Sequence, residues 1–245
     1  MTKEQEYADA MRRYWSHGYG RVGPVVSVLV VALQIVTVAR VPWGELGPLA
    51  FVCCLAAAYL LADFVNGLVH MAMDNTDSYR SVVGPLIAAF HLHHKTPRYL
   101  DSSPAAVYVL ESGSKLWLVG YLVALVVAQG ELAPAASLTL ALVGVLSSVA
   151  EVSHYLCHNG GGPLVRGLQR CRLLLPPAHH AAHHTRDNTH YAFLNGLTDP
   201  LLNAIARRTC RGYVGRTDLH VRSYQGLGAG NRHTERLGPL PVPRA

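Results

Sequence analysis

Charge is scarce in this chain. Only 15% of its 245 residues are Asp, Glu, Lys or Arg, against about 25% in ordinary soluble domains. With half of the residues hydrophobic and a positive mean hydropathy, that shortfall argues against a soluble globular protein. Cysteine is sparse too. None of the five (Cys53, Cys54, Cys157, Cys171, Cys210) makes a Cys-x-x-Cys pair, and Cys53 and Cys54 stand together inside an apolar run. Neither a disulfide framework nor a structural zinc site is indicated, and a reducing cytoplasmic face fits. There is no internal repeat, and no basic motif interleaved with aromatics points to nucleic acid. The length suits one domain of about two hundred residues with short tails.

What is present comes in four apolar blocks. Val22 to Ala39, Leu116 to Gly130 and Leu132 to Ala150 carry no charge; Leu46 to Ala62 carries none and continues past Asp63. A membrane span needs about 20 residues, with about 17 as a minimum, so the third block must borrow residues near Lys115 or Glu131. Only Gly130 to Pro134 separate the third block from the body of the fourth, which predicts a tight antiparallel hairpin. About twenty polar residues of mixed charge precede the first block, which is too long for a signal-peptide core. All Lys and Arg except Arg40 fall in the N-terminal segment, in 71–115 or after residue 151. The positive-inside rule then sets both termini and the middle loop on the cytoplasmic side, where the net charge of +6 would attract anionic headgroups. The expected fold is an all-α integral membrane protein of four transmembrane helices with a cytoplasmic, histidine-rich helical cap. Residues 1–21 form a cytoplasmic N-terminal segment, 22–222 the membrane domain, and 223–245 a disordered tail rich in Gly, Pro and Arg.

Fourteen histidines are a large excess, and histidine is the commonest metal ligand. His70, His91, His93, His94, His154, His158, His179, His180, His183, His184 and His190 all fall on the side assigned to the cytoplasm, at or beyond the ends of spans. Their spacing is helical. Asp63, His70 and Asp74 share one helix face, as do Glu151, His154 and His158. In His179-His180-Ala-Ala-His183-His184 each histidine of the first pair has a partner one turn on, the spacing at which two imidazoles hold one ion. His93 and His94 add two donors from the middle loop. Set against this, His17, His220 and His233 read as surface or filler residues, and the 179–184 run has the alternative of a solvated polar patch. Asp74 is either a ligand or a carboxylate that orients a ligating imidazole, and Asp63 is a helix-packing or channel residue.

Imidazole-rich sites suit iron, zinc, copper or nickel. A catalytic zinc keeps three protein ligands, so seven or eight convergent histidines imply two ions. Two close metals run hydrolysis, whereas two irons reduce dioxygen to an oxidant that takes hydrogen from an unactivated C–H bond. A lipid chain offers only such bonds. A membrane metal transporter needs polar ligands near the bilayer midplane, where these spans offer mainly Ser, Thr and Gln; a zinc hydrolase stays open to metal analysis, and a fatty-acyl hydroxylase shares the oxygen chemistry.

Three stretches resemble the boxes of the lipid desaturases, the family that includes plasmanylethanolamine desaturases, their bacterial counterparts in carotenoid regulation and a plant phosphatidylglycerol palmitate desaturase. His70-Met-Ala-Met-Asp74 resembles the first His-x-x-x-Asp box, His93-His94-Lys-Thr-Pro97 the His-His-x-x-Pro box, and His180-Ala-Ala-His183-His184 the His-x-x-His-His box. The similarity runs from about residue 46 to 205. It implies two iron ions as cofactor, dioxygen as co-substrate, a membrane lipid as substrate, and electrons from a partner such as ferredoxin or cytochrome b5 with its reductase, since nothing here resembles a flavin or nicotinamide fold. The metal set it implies is His70, His93, His94, His154, His180, His183 and His184. One position departs. Ala150 stands where a further histidine is expected, and His158, one turn beyond His154, is expected to complete the eight, with Glu151 as the weaker candidate. Asp74 and Glu151 are the carboxylates expected to serve the reaction.

Overall fold

Long uncharged runs of Val, Leu and Ala satisfy their backbone internally, so they form helices, and no strand occurs among the described residues. The structure is a computed structural model that describes residues 1–16, 19–97, 102–222 and 224. Three helices are long and apolar enough to cross a membrane: α2 (Val22–Ala39), α3 (Pro48–Asn75) and α7 (Pro134–Asn159). They follow α1 (Lys3–Tyr14), which a capping box between Thr2 and Gln5 starts. Prolines open α3 and α7, where a missing N–H costs nothing. The third apolar block gives a shorter helix than four full spans require. Its α6 (Leu116–Ala128) has 13 residues, about 20 Å at 1.5 Å per residue against a hydrocarbon layer of about 30 Å. Near Gly130 the chain tightens into a 3-10 turn, Gln129–Glu131, before α7 begins.

The large side chains of the three long helices face outward as well as inward. Val28, Leu49 and Val52 are 67%, 77% and 59% exposed, an apolar surface that a membrane protein turns to lipid. Within the bundle, small and polar residues set the register. Cys54 Sγ approaches the Ala135 carbonyl at 3.4 Å, and Asn66 donates to Ser147 Oγ at 2.9 Å. Both pairs are 81 residues apart, so α3 and α7 run parallel. In contrast α2 is antiparallel to α7: Gln34 donates to the Gly144 carbonyl and to Ser148 Oγ, both at 2.9 Å, while Gln129 bridges the Thr37 carbonyl and Ser137 Oγ. The expected hairpin is present, with Tyr121 of α6 donating to the Leu140 carbonyl at 2.7 Å. Consequently α3 and α7 finish at the end where α2 begins.

Over that end lie the short helices α4 (Gly84–His93), α5 (Pro104–Leu110), α8 (Pro163–Arg170), α9 (Pro177–His183), α10 (Asp199–Thr209) and α11 (Thr217–His220). Two devices hold the cap down. Tyr7, Ala10 and Met11 of α1 pack on Tyr79 and on Ile87 and Ala88 of α4. Asp63 does more than pack: its buried carboxylate accepts from the Asn195, Gly196 and Thr198 amides at 2.9, 3.2 and 3.0 Å and from Thr198 Oγ1 at 2.6 Å. It pins the turn at Gly196, whose φ of +82° suits glycine. Except for Tyr224, the segment expected as a disordered tail lies outside the described residues. We expect Asp63→Ala to cost about 3 kcal/mol, given roughly 1.5–3 kcal/mol for a hydrogen bond to a charged group, with Asp63→Asn retaining part of it. Thermal unfolding of the detergent-solubilised protein checks this, and an unchanged midpoint for the Ala variant would refute the pinning role.

Candidate metal centre

Four elements bring nine side chains into one layer at the end of the bundle. The first group is His93 at the end of α4, His154 and His158 on the last turns of α7, His180 on α9 and His184 just past it; their ligand atoms lie within 4.8 Å of one another. The Nε2 atom of His180 faces Nε2 of His154 at 2.9 Å and Nε2 of His184 at 3.0 Å, and His158 Nε2 faces His154 Nε2 at 3.2 Å. A neutral imidazole has one N–H and one lone pair on its two nitrogens. Four converging Nε2 atoms therefore satisfy at most two hydrogen bonds among themselves, whereas one cation accepts all four lone pairs.

The second group is His70 and Asp74 on α3, His94 at the end of α4 and His183 on α9. Asp74 is fully buried, and Nε2 of His94, His183 and His70 lie 3.2, 3.3 and 3.5 Å from its oxygens. None of these nitrogens, nor either Asp74 oxygen, reaches hydrogen-bonding geometry. The other nitrogen of each ring is anchored. His70 Nδ1 donates to the Tyr191 carbonyl at 2.7 Å, His183 Nδ1 to the Thr189 carbonyl at 3.0 Å, and His94 Nδ1 to Asp218 Oδ1 at 2.8 Å. Donation at Nδ1 fixes the tautomer and turns the Nε2 lone pair inward, the arrangement metal-ligating histidines use. Both groups fit metal ions.

Electrostatics agrees with that fit. Burial and then the neighbouring imidazoles hold His93 and His180 well below the usual histidine range and lower His184 to about 2. These rings are neutral at pH 7, as ligation requires. Burial also works to lower His94, but the Asp74 and Asp218 carboxylates outweigh it and raise that ring to about 9. The second pocket thus draws positive charge, as a proton or as a metal.

All eight expected histidines and Asp74 fall in the two groups. Ala150 does not line them; it is fully buried one turn below His154 among Ala58, Ala62, Val143 and Phe193. Glu151 joins neither group. Its carboxylate pairs with buried Lys115 at 3.0 Å and lines an apolar cavity of about 170 Å³ whose floor is His70, His93, His154 and Phe193. The extra donors are otherwise engaged: His91 Nε2 donates to the Met73 carbonyl at 2.9 Å and its Nδ1 meets Tyr79 Oη at 2.8 Å, which also meets His220 Nδ1. His179, His190 and Asp199 gather separately. There Arg172 donates to His179 Nδ1 at 3.3 Å and His179 Nε2 donates to Asp199 at 2.5 Å, so His179 needs no ion and instead ties α9 to α10. His17 and His233 lie outside the described residues. Asp218 escaped the sequence reading because no spacing motif links it to His94, 124 residues away.

The comparisons with known proteins agree with this arrangement. The lipid desaturase domain matches residues 59–207, the stretch that includes both groups. The chain belongs to the lipid desaturase family. It is also 28% identical over 210 residues, 80% of this chain and 72% of its relative, to the plasmanylethanolamine desaturase of Myxococcus xanthus. No solved structure matches. Because Asp218 orients His94, we expect Asp218→Asn to weaken metal binding about 10- to 100-fold while the chain still inserts. Chelator competition read by metal content checks this, and unchanged retention would show that His94 needs no such anchor.

Proposed function

We propose that this family member is a di-iron, dioxygen-dependent oxidoreductase that places a double bond in an alkyl or acyl chain of a membrane lipid. One observation carries the reading: two adjoining nitrogen-rich ligand groups lie at the floor of an apolar cavity at the end of a membrane bundle. In this reading His93, His154, His158, His180 and His184 hold one iron, and His70, Asp74, His94 and His183 hold the other. The irons, when bound, supply the reduction of dioxygen that removes hydrogen from an unactivated chain. The overall change balances as two hydrogens lost from adjacent carbons, one dioxygen reduced to two waters, and two electrons and two protons taken up. Those electrons come from a partner such as ferredoxin or cytochrome b5 with its reductase, docking on the cytoplasmic side where both termini and the histidines lie.

The chain's own groups have separable tasks. Leu86, Ala89, Phe90 and Phe193 hold the hydrocarbon and exclude water. Glu151, paired with Lys115 Nζ at 3.0 Å, sets a carboxylate in the cavity wall. The relative's name specifies plasmanylethanolamine, and an ether lipid of that kind, hence a step in plasmalogen formation, is the substrate proposed here.

We expect purified protein to contain about two irons per chain, following the two-ion count that the ligands imply, and cells expressing it to gain a lipid double bond. His158→Ala should lower iron toward one per chain and stop desaturation. Metal quantification with lipid mass spectrometry reads both; zinc in place of iron with no new double bond would overturn the proposal, and full iron with full activity in His158→Ala would remove His158 from the set.

A further inference from the structure

We propose that the lipid chain enters through a seam between α1 and the first turn of α2, and that this seam is a selectivity element of the enzyme. The proposal rests on the desaturase reading for its occupant, a hydrocarbon chain, and on the following geometry for its place.

A second cavity, of about 280 Å³, lies beside the one floored by the histidines. The two share Tyr14, Trp15, Leu86, Glu111 and Ser114 as lining residues, so they adjoin, and we take them as one path. At the outer end of that path are Gly20, Val22, Gly23 and Pro24, where α2 begins. At its inner end are His70, His93 and His154. The path therefore joins the start of a span to the metal-ligand layer.

The chemistry of the mouth suits a lipid leaving the bilayer. Trp15 is 49% exposed, and Val22, which lines the same cavity, is 37% exposed; tryptophan at the level of headgroups with apolar neighbours is the composition of a membrane interface. Further in, Leu86, Phe90 and Met11 give an apolar wall. Glu111 and Ser114 line both cavities, and Ser114 Oγ donates to the Glu111 carbonyl at 2.8 Å, so that hydroxyl is already satisfied where the chain would pass.

Two glycines stand at the mouth, with open space beside them. A Cβ added at Gly20 or at Gly23 meets no atom within 4 Å, so neither glycine is required for packing. Gly23 sits in the first turn of α2, where its backbone freedom is not needed either. What its missing side chain leaves is room in the path.

The test uses the full-length protein in vesicles containing a phosphatidylethanolamine with a photoreactive diazirine at the end of one chain. After irradiation, adducts are mapped by mass spectrometry. The expected result is adducts at Tyr14 and Leu86 that disappear in Gly23→Trp, while adducts on the outward residues Val28 and Leu49 persist. Gly44→Trp, at the opposite end of the bundle and equally without neighbours, should leave the pattern unchanged. In the lipid assay Gly23→Trp should lower turnover by on the order of ten-fold or more, the scale of discrimination that pocket sterics supply, with metal content intact. Adducts at Tyr14 and Leu86 that survive Gly23→Trp, or none there in the wild type, overturn the seam. Adducts at those residues that Gly23→Trp abolishes, without a double bond in any lipid, support the seam and reject the desaturase reading instead.

Discussion

The parallel pairing of α3 with α7 is the constraint on which the rest of the centre depends. Two spans that run the same way end at the same height, so His70 and Asp74 on one stand beside His154 and His158 on the other. Buried polar contacts fix the register: Asn66 to Ser147, and Lys115 between Asn66 and Glu151. In a low-dielectric interior an unpaired group of this kind is costly, so a slip by one residue is opposed at several points together. A different register would separate the ligands of α3 from those of α7, and no rearrangement of the short cap helices would reunite them.

The cap supplies the remaining ligands and distributes them in a way local spacing does not reveal. Neighbouring residues on a helix point about 100° apart, and both adjacent pairs use that divergence. His93 goes to the five-histidine group and His94 to the group of Asp74; His184 and His183 divide in the same way. Each pair is therefore a bridge between the two groups.

Much of this was legible in the chain. Uncharged runs announced the long helices, and repeated i, i+4 histidines announced a clustered histidine layer, because both are patterns of local geometry. The shortness of α6 was foreshadowed by its marginal length. What could not be read was long-range: the division of the nine side chains into two groups, Asp218 as the anchor of His94, and Asp63 as the receptor for three backbone amides of the 195–198 turn. Glu151 shares a helix face with His154, as its spacing predicted, yet Lys115 turns its carboxylate to an ion pair. Ala150, conspicuous in sequence as a missing histidine, is a packing residue under the centre.

The length of α3 has a further consequence. Its 28 residues extend about 42 Å at 1.5 Å per residue, roughly 12 Å more than the hydrocarbon layer of a bilayer. His70 and Asp74 lie in the last two turns of that helix. On the desaturase reading, with the bilayer beginning at Pro48, a lipid carbon at their level stands above its neighbours' tails, and each methylene lifted into water would lose about 0.8 kcal/mol. The apolar walls made by Met11, Leu86 and Phe90 remove that penalty by standing in for the displaced tails, so the N-terminal helix and α4 extend the oily phase of the membrane upward to the height of the histidines.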